Sequence, residues 1–267
     1  MEKTTFDKIR NIVYEQSGIS LGENKEALVC ARIGKRMRSL GMDDFKDYMH
    51  HLDNDESGSE LIQLLDVIST NVTHFYRESK HFEILEDLLH QWVDEGQQRF
   101  RIWSAASSTG EEPYTIAMTM YEVLGDSYDA KILATDISTR VLQKAKEGIY
   151  EPRHIEKIPR NMLHKYFIKR KSENGESYEV KQILKDVLRF TRLNLSVTPY
   201  PLRGPLDIIF CRNVMIYFDN NMRRKVLEDM YRLLKPGGYL MVGHAESLTG
   251  LVSRFKSVMP SIYIKDQ

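Results

Sequence analysis

From Phe100 to Asp136 the chain spells strand, tight turn, helix and strand without interruption, and no other stretch limits its possible folds so sharply. Phe100, Ile102 and Trp103 mark a short apolar strand that runs into Ser104, Ala105, Ala106, Ser107 and Ser108. Thr109-Gly110 then turns the chain into a helix starting near Glu111, with Pro113 in its first turn, where a missing N–H costs nothing. Tyr114, Ile116, Ala117, Met120, Tyr121 and Leu124 recur with a helical rather than a strand period. A second strand, residues 131–135, ends at Asp136. Such a βαβ unit implies an α/β fold with a largely parallel sheet, and these sheets bind nucleotides in the crevice at the carboxyl ends of their strands.

The turn restricts the ligand as well. A dinucleotide-binding turn would read G-x-G-x-x-G, but here Ala105, Ala106, Ser107 and Ser108 stand where glycines are wanted, and only Gly110 remains. No phosphate-cradling lysine follows, so the P-loop pattern fails too. Small residues let the backbone approach a ligand, and a carboxylate at the tip of the second strand can take both ribose hydroxyls. A nucleoside without a pyrophosphate fits best, S-adenosylmethionine being the obvious one. The plainer alternative is an α/β core whose tight turn merely needs small residues.

The 267 residues allow one large or two modest domains, and with 42% of them hydrophobic the chain can bury a real core. Lys+Arg and Asp+Glu balance at 38 each, which argues against a general nucleic-acid binder. Cys30 and Cys211 suggest no disulfide framework. No apolar run approaches membrane-spanning length and the amino terminus lacks an apolar signal core, so a reduced, cytoplasmic protein without membrane insertion is expected.

Residues 1 to about 68 read as helices only. Phe6, Ile9, Ile12 and Val13 mark the first, which ends at Ser17-Gly18. A second, from Lys25 to Leu40, buries Val29, Ile33, Met37 and Leu40 on one side; Arg32, Lys35 and Arg38 fan away from that stripe, with Arg36 on its flank. Such a basic fan is either a solvated helix face or a docking surface. Two shorter helices follow, around Phe45–Leu52 and Leu61–Ile68. The polar stretch Ser69 to Glu78 fits neither neighbour: Asn71, Thr73 and Arg77 crowd beside Phe75 and Tyr76, where a linker of convenience would be rich in Gly, Ser or Pro. His74 has no companion at ligand spacing, and no metal site is expected.

After another amphipathic helix (Lys80 to Asp94) and the βαβ unit, a helix capped by Ser138 runs to Gly148. Residues 166–171, 177–184 and 187–193 then alternate like strands, with Glu173-Asn-Gly175 as a hairpin turn, so a three-stranded antiparallel insert is expected at about 166–193. Past Asn194-Leu195 the α/β pattern resumes with a near-continuously apolar strand, residues 205–211, which carries Arg212, Asn213 and Tyr217 beyond its end. A helix from Asn220 to Leu234, a strand at 239–242 and an edge hairpin over 258–264 would complete the sheet.

Five segments in this order resemble the CheR family of S-adenosylmethionine-dependent protein-glutamate methyltransferases: Ser69-Thr-Asn-Val-Thr-His-Phe-Tyr-Arg-Glu78, Trp103-Ser-Ala-Ala-Ser-Ser-Thr-Gly-Glu-Glu-Pro-Tyr114, Ala134-Thr-Asp-Ile-Ser138, Ile209-Phe-Cys-Arg-Asn-Val-Met-Ile-Tyr-Phe218 and Leu234-Lys-Pro-Gly-Gly-Tyr-Leu240. The resemblance spans essentially the whole chain. It implies a class I (Rossmann-like) methyltransferase domain at 71–267, with one antiparallel strand in a seven-stranded sheet, behind an all-helical domain at 1–70. The implied cofactor contacts are Asn71, Thr73, Arg77, Glu111, Asp136, Asn194, Leu195, Arg212 and Asn213, with either glutamate of the Glu111-Glu112 pair able to face the cofactor. Arg77 and Tyr217 fall nearest the transferred methyl, and Arg77 has an alternative role on the cofactor's own carboxylate. Arg32, Lys35 and Arg38 become the surface that docks substrate. The implied partners are methyl-accepting chemotaxis receptors, no nucleic acid is implied, and the enzyme is expected to be a monomer that releases S-adenosylhomocysteine.

The chemistry implied is modest. A glutamate side chain is ionised at neutral pH, since its reference pKa is about 4.3, and needs no general base. In-line placement of carboxylate, methyl and sulfonium is what remains, and proximity alone lowers such barriers by several kcal/mol. A small-molecule methyltransferase would not need a helical leader and an insert as docking surfaces. The amino-group nucleic-acid enzymes use an Asp/Asn-Pro-Pro-Tyr signature that Asn213-Val-Met-Ile-Tyr217 does not match. A non-catalytic receptor adaptor that binds S-adenosylmethionine is the alternative from another class.

Overall fold

Four helices open the chain: α1 (Lys3–Ser17), α2 (Glu26–Ser39), α3 (Phe45–Asp53) and α4 (Ser59–Ile68). The computed structural model describes residues 1–172, 175–248, 250–251 and 254–266. The apolar stripes of these helices meet in one core, built by Phe6, Ile9 and Val13 of α1 against Val29, Ile33 and Met37 of α2 and Leu64, Leu65 and Ile68 of α4. Gly18 ends α1 in the left-handed region at φ 71°, a conformation that L side chains rarely adopt. The flank residue Arg36 reaches Glu60, only 2% exposed, with its Nε and Nη2 at 3.1 and 2.6 Å, and Tyr48 donates its hydroxyl to the same carboxylate at 2.8 Å. That buried cluster pins α2, α3 and α4 together.

Ser69–Ser79 has no regular secondary structure, and α5 (Lys80–Asp94) follows. The second unit then runs β1 (Arg99–Ala105), α6 (Glu111–Leu124), β2 (Asp129–Asp136), α7 (Thr139–Glu147), β3 (Ile149–Tyr150), α8 (Pro152–Ile155), α9 (Arg160–Tyr166), β4 (Phe167–Ser172), β5 (Gly175–Val180) and α10 (Gln182–Lys185). It continues through β6 (Leu188–Arg192), β7 (Leu206–Cys211), α11 (Asn220–Leu233), β8 (Leu234–Val242), β9 (Phe255–Met259) and β10 (Ile262–Lys265). Among the described residues one sheet has seven strands in the order β6-β2-β1-β7-β8-β10-β9. Of these, β10 alone runs against the rest, pairing antiparallel with both β8 and β9, while the other neighbours are parallel. The expected edge hairpin is present, with β9 outermost. Side chains alternate between two cores as the pleat requires: Ile102, Ile208 and Phe210 face α5 and α6, whereas Trp103, Ile209 and Cys211 face α11.

The insert differs from expectation. A three-stranded antiparallel sheet exists, but its order is β3-β5-β4, and its third member is the two-residue β3. Residues 187–193, expected to belong to it, instead hold β6, which lies parallel to β2 with Ile132 opposite Leu188 and Asp136 opposite Arg192. As an edge strand of the large sheet β6 is only partly buried, so its alternation imitates that of a half-solvated antiparallel strand. A strand of two residues is too short to show any period. Of residues 181–184, read as extended, 182–184 belong to the single turn α10. Of the expected hairpin turn, Glu173 and Asn174 lie outside the described residues. The small sheet is seated on the main core through Phe75, fully buried, whose ring meets Tyr150 edge-on at 4.9 Å and Phe167 at 5.7 Å.

Candidate active site

The strand order reverses between β1 and β7, and the crevice opens at the carboxyl ends of β1, β2 and β7. There Ser107 N–H donates to Thr135 O at 2.8 Å, carrying the turn after β1 across the end of β2. Ala106 and Ser108 take positive φ, 61° and 49°. Gly110 follows at φ 98°, where a Cβ would lie 2.9 Å from Ala145 Cβ and 2.9 Å from the Tyr150 hydroxyl, so no larger residue fits. This winding aims backbone N–H groups at Asp136, whose Oδ2 accepts from Ser108 N at 2.9 Å and Oδ1 from Ser138 N at 2.9 Å. An ionised carboxylate has about four acceptor positions, so the two oxygens keep further capacity for a ligand. Asp136 is 6% exposed, and burial pushes its carboxyl above the ordinary carboxylate range.

Opposite stands the polar linker. Ser108 Oγ donates to Asn71 O at 3.0 Å, tying linker to turn, and Arg77 Nη1 donates to Val72 O at 2.7 Å, curling the linker on itself. Arg212, just past β7, sits buried between two carboxylates: its Nη1 is 2.9 Å from Glu112 Oε2 and its Nη2 3.1 Å from Glu78 Oε2. It also donates to Arg77 O and lies over the Phe82 ring, 5.5 Å from the centroid. Glu112 Oε1 accepts from Ser104 Oγ at 2.7 Å. The two glutamates respond in opposite ways. Burial would raise both, and it wins at Glu112, but at the less buried Glu78 the attraction and hydrogen bond of Arg212 prevail and hold the carboxyl low.

The helical domain closes the crevice. Asn194 donates its Nδ2 to Gln16 O at 2.7 Å while its Oδ1 accepts from Ser196 N at 3.0 Å. Ser20 N–H donates to Tyr217 O at 2.8 Å, and the Tyr14 hydroxyl to Asp219 Oδ2 at 2.5 Å. These bonds hang the end of α1 and the segment after it over the ends of the strands. The partly open cavity measures about 380 Å³, within the range of small-molecule sites. Asn71, Thr73, Arg77, Asp136, Asn194, Leu195, Arg212, Asn213 and Tyr217 all line it, as does Arg32. Tyr217 is half-buried in a 3₁₀ turn, Met215–Tyr217, positioned by Asn213 in the left-handed region at φ 59°.

One expected cofactor contact stands elsewhere, and the basic fan of α2 divides. Glu111 is 2% exposed, accepts from Thr109 Oγ1 at 2.6 Å and does not line the cavity; of the glutamate pair, it is Glu112 that does. Lys35 and Arg38 are exposed on α2 and outside the cavity. Arg32 is no free member of a docking stripe, because it donates to Ile68 O, to Ser69 O at 3.3 Å and to Thr70 Oγ1 at 3.1 Å, bracing the linker where α4 ends. Three further participants go beyond what the sequence shows. Glu78 was included only as the end of a motif, and Ala106 and Ser108 only as small residues. Neither a distant guanidinium partner nor a positive φ leaves a local signal.

The comparisons agree with this fold. Residues 4–69 match the all-alpha domain of CheR methyltransferases, and residues 71–264 match their SAM binding domain. The chemotaxis protein methyltransferase of Escherichia coli strain K12 is 39% identical over 259 residues, covering 97% of this chain and 89% of that protein. Chemotaxis protein methyltransferase 2 of Pseudomonas aeruginosa is 38% identical, covering 97% and 91%, and the chemotaxis protein methyltransferase of Borreliella burgdorferi is 38% identical, covering 99% and 95%. An all-helical leader, a crevice of small-molecule size at the strand ends and relatives matched nearly end to end lead to one conclusion: the chain belongs to the CheR methyltransferase family.

Proposed function

We propose that this protein methylates glutamate side chains of chemotaxis receptors, forming glutamyl methyl esters and S-adenosylhomocysteine. The observation that carries the reading is the cavity itself, where Asp136, at the tip of β2, keeps acceptor capacity facing a space closed by both domains. The residues fit the cofactor. Asp136 would take the ribose hydroxyls, and Asn71, Thr73, Asn194, Leu195 and Asn213 would wall in the remainder. When bound, S-adenosylmethionine supplies an electrophilic methyl on a sulfonium sulfur.

The chain's own residues position and desolvate. Arg77 and Tyr217 line the cavity together with Arg212 and Asn213. Arg77 donates to a backbone carbonyl with one nitrogen, which leaves other donors of its guanidinium for a carboxylate. The Tyr217 hydroxyl makes no hydrogen bond among the described residues and is a directed donor for the second oxygen. A substrate glutamate arrives ionised, so no residue is needed as a base. Each turnover removes one negative charge from the receptor.

The test is transfer of label from S-adenosylmethionine to receptor-bearing membranes, scored as base-labile methyl released as methanol. The same assay under single-turnover conditions should show Tyr217→Phe slower than wild type with cofactor affinity retained, because only interactions specific to the transition state raise the rate. Label that resists base would overturn the ester assignment.

A further inference from the structure

Beside Arg212 three side chains from separate elements converge. Glu78 comes from the linker, His81 from the first turn of α5 and His244 from the turn after β8; one donor atom of each lies within 4.8 Å of the others. His81 Nδ1 is 3.6 Å and His244 Nε2 is 4.0 Å from Glu78 Oε2, and the two imidazoles meet edge-on with centroids 5.4 Å apart. His81 is 1% exposed, yet neither of its ring nitrogens has a hydrogen-bond partner among the described residues. A buried side chain with two orphaned polar atoms calls for a cause, because folded proteins satisfy nearly all such groups. His244 is on the surface, with a side chain 60% exposed, so the cluster is reachable from solvent.

We propose that Glu78, His81 and His244 form a binding site for one divalent transition-metal ion of the zinc class, held by two imidazoles and a carboxylate. Neither the spacing of the histidines in the sequence nor the methyl-transfer reading calls for it, and it stands apart from that reading. Tetrahedral zinc with ligand bonds of about 2.0–2.1 Å sets neighbouring donors about 3.3–3.5 Å apart. The His81–Glu78 separation is already close to this, and the exposed His244 needs only a small swing. Two nitrogens and one oxygen suit zinc, cobalt or nickel better than magnesium or calcium, which prefer all-oxygen shells.

Both imidazole and carboxylate are ready as ligands. Burial, reinforced by the neighbouring Arg212 charge, lowers His81 to about 4, leaving the ring neutral near pH 7, and Glu78 is held ionised. The obvious objection is Arg212, whose Nη2 is 3.1 Å from the same Glu78 oxygen. Its charge is outweighed locally. Glu112 shares the guanidinium, and the carboxylate of Glu246, 1% exposed, accepts from Asn213 N at 2.6 Å and Gly243 N at 2.7 Å immediately beside His244. Two carboxylates share the one guanidinium and a third lies beside His244, which leaves negative charge for a second cation to offset. An ion there would fasten the start of α5 and the turn after β8 to the glutamate that holds Arg212.

The full-length chain, stripped by chelator and dialysed, should take up one Zn²⁺ per molecule in a calorimetric titration with zinc chloride and melt at a higher temperature with zinc than without. Co²⁺ in place of Zn²⁺ should give the visible absorption of a tetrahedral site. His244→Ala should weaken zinc binding by at least about tenfold, the lower end of what losing even an outer-shell partner costs. His90→Ala, which removes an exposed histidine of α5, should leave it unchanged. His81→Gln should abolish uptake; should that variant fail to fold, His244→Ala decides. No saturable uptake in the micromolar range, or equal affinity in wild type and His244→Ala, would overturn the proposal.

Discussion

Asp136 is held by two backbone N–H groups while burial pushes its carboxyl up, which gives a direct handle on the cofactor site. Asp136→Ala should weaken S-adenosylmethionine binding by about 1.5–3 kcal/mol, the range for hydrogen bonds to a charged group, or roughly one to two orders of magnitude in Kd. Unchanged affinity by calorimetry in a folded variant would remove Asp136 from the site. The glutamate pair separates cavity from core. Glu112→Gln should lower cofactor affinity, while Glu111→Gln should leave it near wild type, since Glu111 bonds inward to Thr109. Burial raises the folded-state pKa of Glu111 above its unfolded value. The stability this group contributes is therefore fully present below the unfolded pKa and lost as pH rises through the folded one. Glu111→Gln should accordingly melt higher than wild type at neutral pH, by about 0.5–2 kcal/mol, as productive single substitutions do, and the gap should close as pH falls into the ordinary carboxylate range. A gap that widens toward acid would contradict the burial assignment. Asp136 was legible because a strand's last residue has one place to be. Glu111 and Glu112 were not, because adjacent helical residues point about 100° apart and the left-handed residues before them, Ala106, Ser108 and Gly110, set the phase.

At the scale of elements, α2 divides its basic residues between two tasks. Arg32 braces the carbonyls where α4 gives way to the linker, so Arg32→Ala should loosen the wall carrying Asn71 and Thr73 and reduce cofactor affinity several-fold. Lys35 and Arg38 touch nothing in the cavity. Reversing both to Glu should raise the apparent KM for receptor, leave cofactor affinity unchanged and flatten the dependence of the rate on salt, because exposed charges are screened beyond about 8–10 Å near physiological ionic strength. A normal KM in low salt would assign Lys35 and Arg38 to a merely solvated face. Periodicity placed the helices of the leader well, since Ile9, Ile33 and Leu64 each sit on a continuous buried stripe. It failed at β6, where half-burial at a sheet edge copies the pattern of an antiparallel strand, and at β3, where two residues carry no pattern.

Across the whole molecule, the site belongs to neither domain alone. Gln16 and Ser20 from the leader bond to Asn194 and Tyr217 of the sheet domain, so the ceiling of the cavity is helical and its floor is the strand ends. The βαβ unit announced the floor in the sequence; the ceiling was hidden, because contacts between residues some two hundred positions apart leave no local trace. The central claim is that a methyl group leaves this cavity for a glutamate carboxylate of a receptor. Mass spectrometry of receptor peptides, after incubation of receptor-bearing membranes with the protein and S-adenosylmethionine, tests it directly. The mass of one added methylene is expected on glutamate side chains of the receptor's cytoplasmic helical region, lost on mild base and much reduced with Asp136→Ala at subsaturating cofactor. Methylation confined to lysine or to the peptide backbone, or a receptor left unmodified by protein that binds the cofactor normally, would contradict it.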